Sequence, residues 1–427
     1  MCMFKYNSNR FMCIKPYCSE SPINENPQEF LTKKQLENTS LCGKFFDNTK
    51  LMYKELYRSP LFHLSLANKE LYHSNFIAWL GDDDETKPLF IEIIKNLSNI
   101  DLSGKDFVVK REYKNYDLSI LFKDNPNPVL VLENKNKSIP SKDQLDKYLE
   151  KEKNNQDVKY VLLSLATEFP KKDEITKSWK LVSYACLACF LKDHIDLVKN
   201  GYKKQLIEDY ISFISLLHKL SQSWLQQTKF FMPVDEWDLL KKCRIHDLCD
   251  KIRAANMVVN YNKKYQSKIE WFYSNGSAAL AWNRPIDAQH EICIQIQGGC
   301  YRHAIVEIKK KSGKTNDIEE INEKGKELTN LSPIQGSEFL KLSQTDDAFF
   351  NNNDSIFEDQ CCYPIDKPKQ EKLFNKFEGK NKNGVYLMVY QYRKIKKDIT
   401  CKQLFEFLNR DIQKIEELLS IKRNTQP

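Results

Sequence analysis

Two carboxylates and an amine, Asp117, Glu133 and Lys135, stand where two apolar runs begin or end, and charge is expensive to bury at such places. Tyr116-Asp117-Leu118-Ser119-Ile120-Leu121-Phe122 alternates polar and apolar residues and predicts a strand with a carboxylate near its start. Pro128-Val129-Leu130-Val131-Leu132 is apolar without a break, the pattern of a strand covered on both faces, and it ends in Glu133-Asn134-Lys135. A carboxylate and an ammonium group at the end of a buried strand need each other, a metal ion or a substrate as partner. Glu133 and Lys135 are two residues apart and share one strand face. Behind them Ser141 is a plausible N-cap for a helix on which Gln144 and Tyr148, four residues apart, share one face.

The elements that must hold these groups are legible around them. Residues 70–80 form an amphipathic helix, interrupted by Asp82-Asp83-Asp84-Glu85, and residues 88–97 form another. The four acids could hold a metal, but adjacent exposed acids in a loop are read first as a solvated turn. Residues 107–113 predict a strand, so three consecutive strands make a meander. The Gln144 helix then crosses over to a fourth strand at 158–165, which implies parallel pairing and a right-handed connection. A short fifth strand at 179–182, a helix at 183–197 and a long amphipathic helix at 202–225 complete an αβββαβ core, a mixed sheet flanked by helices.

Composition narrows the setting. With 427 residues the chain has room for two or three domains that bury a core without disulfides, and two is our reading. We divide it into a loosely ordered lead-in at 1–28, a first domain at 29–227 and a second at 228–427. Apolar residues at 41% and a mean hydropathy of -0.60 describe a soluble protein, and no apolar run is long enough to cross a membrane. The first residues lack the apolar segment of a secretory signal, and 13 irregularly spaced cysteines fit reduced thiols, so a cytoplasmic location is expected. A net charge of +8 is permissive of a polyanionic partner and does not identify one. The sequence assigns no oligomeric state.

Beyond residue 228 the pattern changes. Two runs flanking Ser274-Asn275-Gly276-Ser277 predict a hairpin, and runs flanking Gly298-Gly299 predict a second. A late strand at 384–392, a long loop at 344–369 and a final helix at 400–421 give an α+β domain with an antiparallel sheet. Its basic runs, Lys309-Lys310-Lys311-Ser312-Gly313-Lys314 and Arg393-Lys394-Ile395-Lys396-Lys397, could follow a phosphate backbone, and Trp271, Tyr273, Trp282 and Tyr301 could stack on bases. Edge protection explains the charges equally well, and core packing explains the aromatics better.

Taken in order, Glu70 with His73-Ser74 on the leading helix, Asp117 on the second strand, Glu133-Asn134-Lys135 on the third and Gln144-x-x-x-Tyr148 on the next helix resemble the PD-(D/E)XK nuclease superfamily. Within it the likeness is to an uncharacterised bacterial branch with a Glu-x-x-His-Ser motif and a RecB-like Gln-x-x-x-Tyr element. It covers residues from about 60 to 200, and its specificity lies in order and element type, since Glu-x-Lys alone recurs by chance. Tyr116 stands where related sequences often have Arg, and the proline that names the motif is not adjacent to Asp117.

The resemblance implies a restriction-endonuclease-like α/β fold and metal-dependent hydrolysis of phosphodiester bonds, most simply in DNA, in the setting of bacterial genomes, prophages and phage defence. Mg²⁺, for which Mn²⁺ would substitute, would be held by Asp117, Glu133 and the backbone carbonyl of Asn134, with Glu70 bound directly or through water. Lys135 would orient or deprotonate the attacking water, and Gln144 and Tyr148 would position the scissile phosphate or the water. His73 would lie behind the metal or contact phosphate. Two other readings are carried alongside: a non-catalytic module on the same fold that binds nucleic acid or protein, and an effector acting through the C-terminal half.

Some RecB-like nucleases hold an iron-sulfur cluster through one upstream and three downstream cysteines. Cys42 precedes the motifs here and Cys186-Leu187-Ala188-Cys189 follows them, but the latter pair sits in an apolar helix where thiols pack as small hydrophobes. Cys243, His246 and Cys249 have ligand types three apart without an evident fourth partner. Elemental analysis of the purified protein is therefore expected to find neither iron nor zinc in stoichiometric amount; one equivalent of either would overturn this reading.

Overall fold

The computed structural model describes residues 49–65, 69–155, 157–274, 276–309, 323, 356–358, 375–381 and 384–425. The lead-in at 1–28, Cys42, Lys310 to Lys314, Asn275 and most of 344–369 lie outside the described residues. Two compact units divide the chain. One takes the described residues up to Asn134 with Glu152–Leu165 and Trp179–Leu220; the other takes Lys135–Lys151, Ala166–Ser178 and the residues from Ser221 onward.

The first sheet has the strand order β1 (Phe107–Arg111), β2 (Leu118–Phe122), β3 (Pro128–Lys135), β4 (Lys159–Ser164) and β5 (Lys180–Ser183). β1 with β2 and β2 with β3 pair antiparallel, as the predicted meander requires, and β4 with β5 pairs parallel, so the sheet is mixed. The chain before it forms α1 (Pro60–Ser65), α2 (Lys69–Asp82) and α3 (Lys87–Ser98). α4 (Lys142–Lys151) lies in the crossover from β3 to β4, and α5 (Lys172–Ile175), α6 (Tyr184–Asp193) and α7 (Gly201–Leu225) follow. α2 packs on β1 and α3, and α3 packs on β4 and α6. The fold is the α/β arrangement read from the sequence, a mixed sheet flanked by helices.

Apolar content decides burial strand by strand. β3 is buried along nearly its whole length, as its unbroken apolar run requires. β2 departs from its alternating pattern: Ser119 is as buried as Leu118 and Ile120, because the second strand of five is covered on both faces. Just before β2, the buried Glu152 accepts hydrogen bonds from Lys114 Nζ at 2.7 Å and from Tyr116 Oη at 3.0 Å, and Tyr116 is itself fully buried. Asp83, in the acidic run, accepts from the main-chain N–H of Glu85 and Thr86, and Lys203 Nζ reaches both Asp83 and Glu85 within 2.7 Å. Lys203 holds the Asp83 carboxyl below the usual carboxylate range. The run is a turn tied to α7.

In the second unit α8 (Val234–Lys242) and α9 (His246–Tyr265) lead into a six-stranded sheet. Its order is β10 (Asn375–Asn381), β11 (Gly384–Lys394), β9 (Cys300–Lys309), β8 (His290–Gln297), β7 (Ser277–Pro285) and β6 (Glu270–Ser274), every pair antiparallel. Both predicted hairpins form: Ser274 pairs with Ser277, and Gly298 and Gly299 take positive φ between β8 and β9. α9 and α10 (Cys401–Thr425) share a core with one face of this sheet, in which Trp282 and Tyr301 are buried. Asp411 is buried in that core and accepts from Tyr301 Oη and His303 Nε2, both at 2.6 Å. Among the described residues no helix is long and apolar enough to cross a membrane.

α2 rests against β1 through Gly81, where an added Cβ would come within 2.7 Å of Val109 Cγ2 and 3.0 Å of the Phe90 ring. Helix propensity alone would make Gly81→Ala stabilising by about 1 kcal/mol, whereas overpacking costs about 1–3 kcal/mol. The clash wins, so Gly81→Ala is expected to lower the midpoint of urea unfolding; a raised midpoint would show that α2 can move away from β1 freely.

Candidate active site

Register brings the first two acids together. Leu118 lies opposite Leu132, Ser119 opposite Val131 and Ile120 opposite Leu130. Asp117 and Glu133 are the residues next beyond the Leu118–Leu132 pair, so they lie at the same end of the two strands. Glu133 is buried, at 2% exposure. A buried carboxylate needs hydrogen-bond donors, a positive partner or a proton. The main-chain N–H of Asn134 donates to Asp117 Oδ2 at 2.6 Å, a charge-assisted bond that fixes how this carboxylate is presented.

The Asn134 side chain, fully buried in β3, connects three elements. Its Nδ2 donates to the main-chain carbonyl of Glu70 at 2.9 Å and to Ser74 Oγ at 3.3 Å. Its Oδ1 accepts from the hydroxyl of Tyr184. Ser74 Oγ in turn donates to the Glu70 carbonyl at 3.1 Å. Glu70 occupies the first turn of α2, where the helix dipole favours an acid. Tyr184 opens α6 because Ser183 caps that helix, its Oγ accepting from the N–H of Cys186.

Tyr184 is buried, and its phenol is pushed well up, first by burial and then by Tyr210 and the carboxylates of Glu70 and Asp117. It therefore remains protonated, as a donor to Asn134 must. His73 is buried too: Nδ1 lies 2.9 Å from Tyr210 Oη, and the ring stacks on Phe213 at 5.5 Å. Of the two roles read for His73, its burial favours the one behind the site over contact with phosphate.

The remaining predicted residues fall in the segment Lys135–Lys151 of the second unit. Lys135 closes β3 and is buried. Gln144 Nε2 donates to Tyr148 Oη at 2.9 Å, so the shared face of α4 is real, and Lys151 Nζ sits 5.3 Å from the Tyr148 ring centroid.

The acids of this cluster offer oxygen donors, which suit a hard divalent cation better than zinc. Mg²⁺ commonly takes only one or two carboxylates and keeps several waters, so two acids such as Asp117 and Glu133 are enough in number to hold it. Among the described residues no group of three or more His, Cys, Asp or Glu side chains is arranged to hold a metal ion, and Glu70 enters the cluster through its main-chain carbonyl. Cys186 and Cys189 are half-buried on α6, and Cys243 and Cys249 are buried.

The family model of the PD-(D/E)XK nuclease superfamily matches residues 61–212. Over these residues the chain is similar to that superfamily. The match spans α2, the whole first sheet and the part of α7 that carries Tyr210, and it supports a nuclease-type function acting on nucleic acid. Nucleases of the PD-(D/E)XK superfamily generally use divalent metal ions such as Mg²⁺. No curated protein and no solved structure matches the chain.

Sequence reading passed over Tyr184 and Tyr210. A signal did exist for their partner, because an Asn at the end of a strand covered on both faces must find hydrogen-bond partners from other elements. Asn134→Leu keeps the bulk but leaves the buried Tyr184 hydroxyl without its acceptor. The expected loss of stability is about 2–3 kcal/mol by thermal or urea unfolding, and an unchanged midpoint would deny Asn134 its connecting role.

Proposed function

We propose that residues 61–212 form the catalytic part of a Mg²⁺-dependent nuclease that hydrolyses phosphodiester bonds, in DNA by preference, with Mn²⁺ able to replace Mg²⁺. The observation that carries this reading is the bond from the N–H of Asn134, next to Glu133 on β3, to the carboxylate of Asp117, inside the superfamily match.

Asp117, Glu133 and the main-chain carbonyl of Asn134 hold the cation, with Glu70 completing the set directly or through water. The bound cation supplies a nucleophilic water near neutral pH and offsets charge on the phosphate. Lys135, two residues beyond Glu133 on β3, orients or deprotonates the attacking water and adds a positive charge beside the phosphate. Gln144 and Tyr148, already joined on one face of α4, orient the scissile phosphate or the water. We take 29–227 as the nuclease domain and 228–427 as the domain that selects substrate, partner or regulation, in a cytoplasmic setting such as phage defence or prophage biology.

The alternative is a module on the same fold that binds nucleic acid or protein without cleaving it. Turnover separates the two. The protein is expected to degrade plasmid or single-stranded DNA with Mg²⁺ or Mn²⁺ and to stop on chelation. Asp117→Ala and Lys135→Ala are each expected to lose about 100-fold or more of this activity while remaining folded. Full activity in either variant sinks the assignment, and DNA binding without any turnover favours the second reading.

A further inference from the structure

We propose that Tyr184, Asn134 and Ser74 are positioning residues that lock the acid-bearing start of α2 to the acid-bearing end of β3, so that the cation site is set by a buried amide as well as by its ligands. The proposal rests on the nuclease reading above and concerns residues that do not themselves touch substrate.

The orientation of the Asn134 amide is determined by its partners. The Glu70 carbonyl can only accept, so Nδ2 must face it, and Oδ1 then faces Tyr184, whose hydroxyl can donate. Remove that hydroxyl and the amide loses the partner that rewards this orientation. Turned over, it would aim Oδ1 at the Glu70 carbonyl, oxygen against oxygen, and push α2 away from β3. The other end of the same residue is equally committed, because its N–H holds Asp117 Oδ2. A single residue thus connects the backbone of Glu70 with the carboxylate of Asp117. Ser74, one turn after Glu70, closes the contact by bonding both the Glu70 carbonyl and Nδ2. Behind α2, His73 and Tyr210 fix the helix to α7, and the His73 ring meets the Tyr184 ring edge-on at 5.1 Å.

Tyr184→Phe deletes one oxygen and keeps the ring packing, so it separates positioning from bulk. Mn²⁺ binding to the full chain, followed by electron paramagnetic resonance, is the readout independent of turnover. Cleavage kinetics against Mg²⁺ concentration and against DNA concentration accompany it. Tyr184→Phe is expected to weaken Mn²⁺ binding about 10-fold, the lower end of what groups supporting metal ligands usually contribute. It should raise the Mg²⁺ concentration for half-maximal cleavage by a similar factor and leave KM for DNA unchanged. Ser74→Ala should move the same quantities in the same direction by a smaller factor. A folded Tyr184→Phe that binds Mn²⁺ as the wild type does overturns the proposal. Should Tyr184→Phe fail to fold, Ser74→Ala decides: weakened Mn²⁺ binding supports the network, and unchanged binding overturns it. A wild-type chain that neither binds Mn²⁺ nor cleaves DNA overturns the nuclease reading and the network's role with it. Wild-type activity with an unaffected folded Tyr184→Phe overturns the network alone.

Discussion

A primary amide buried in a central strand is the constraint on which the rest of the first unit depends. Left without partners, such a group costs about 2–7 kcal/mol, depending on the reference state. Asn134 meets that demand with a helix carbonyl, a serine hydroxyl and a tyrosine hydroxyl drawn from α2 and α6. Each partner is far away in sequence, so satisfying one amide fixes where two helices meet the sheet. The same residue presents its N–H to Asp117, so the requirement that orders the core also orders the acids.

The second unit uses a comparable device with opposite polarity. There a carboxylate, Asp411 on α10, is buried under the six-stranded sheet and receives donors from neighbouring β9 positions, Tyr301 and His303. An apolar core of leucine, isoleucine and phenylalanine leaves a helix several ways to settle on a flat sheet. A directional acceptor removes most of them, at the expense of desolvating a charge.

Much of this was legible in the sequence, for identifiable reasons. The unbroken apolar run of β3, the crossover through α4 and the Gly-containing turns of both hairpins are local signals, and each element formed where it was expected, β7 running on to Pro285. The alternation of β2 marked a strand but not its burial, since it cannot tell a buried serine from an exposed one and Ser119 is buried. β10 has no apolar pattern at all, with Asn375-Lys376-Phe377-Glu378-Gly379-Lys380-Asn381 owing its strand to pairing with β11. At the site, order and element type were what pointed to Asp117, Glu133 and Lys135. Tyr184 lies outside any motif, and only the folded chain brings its hydroxyl to Asn134. Core packing was the better reading of the aromatics beside the two hairpins, and Trp282 and Tyr301 do belong to the core.

The residue before Asp117 has a consequence for how such chains can vary. Tyr116 shares one buried carboxylate, Glu152, with the ammonium of Lys114. An arginine at 116 would turn a neutral phenol into a second cation competing for a single anion. Lineages with arginine there should then lack a lysine at the equivalent of 114, or carry an extra acid nearby. Positions 114, 116 and 152 ought to drift together through evolution, as a trio whose members exchange only in concert.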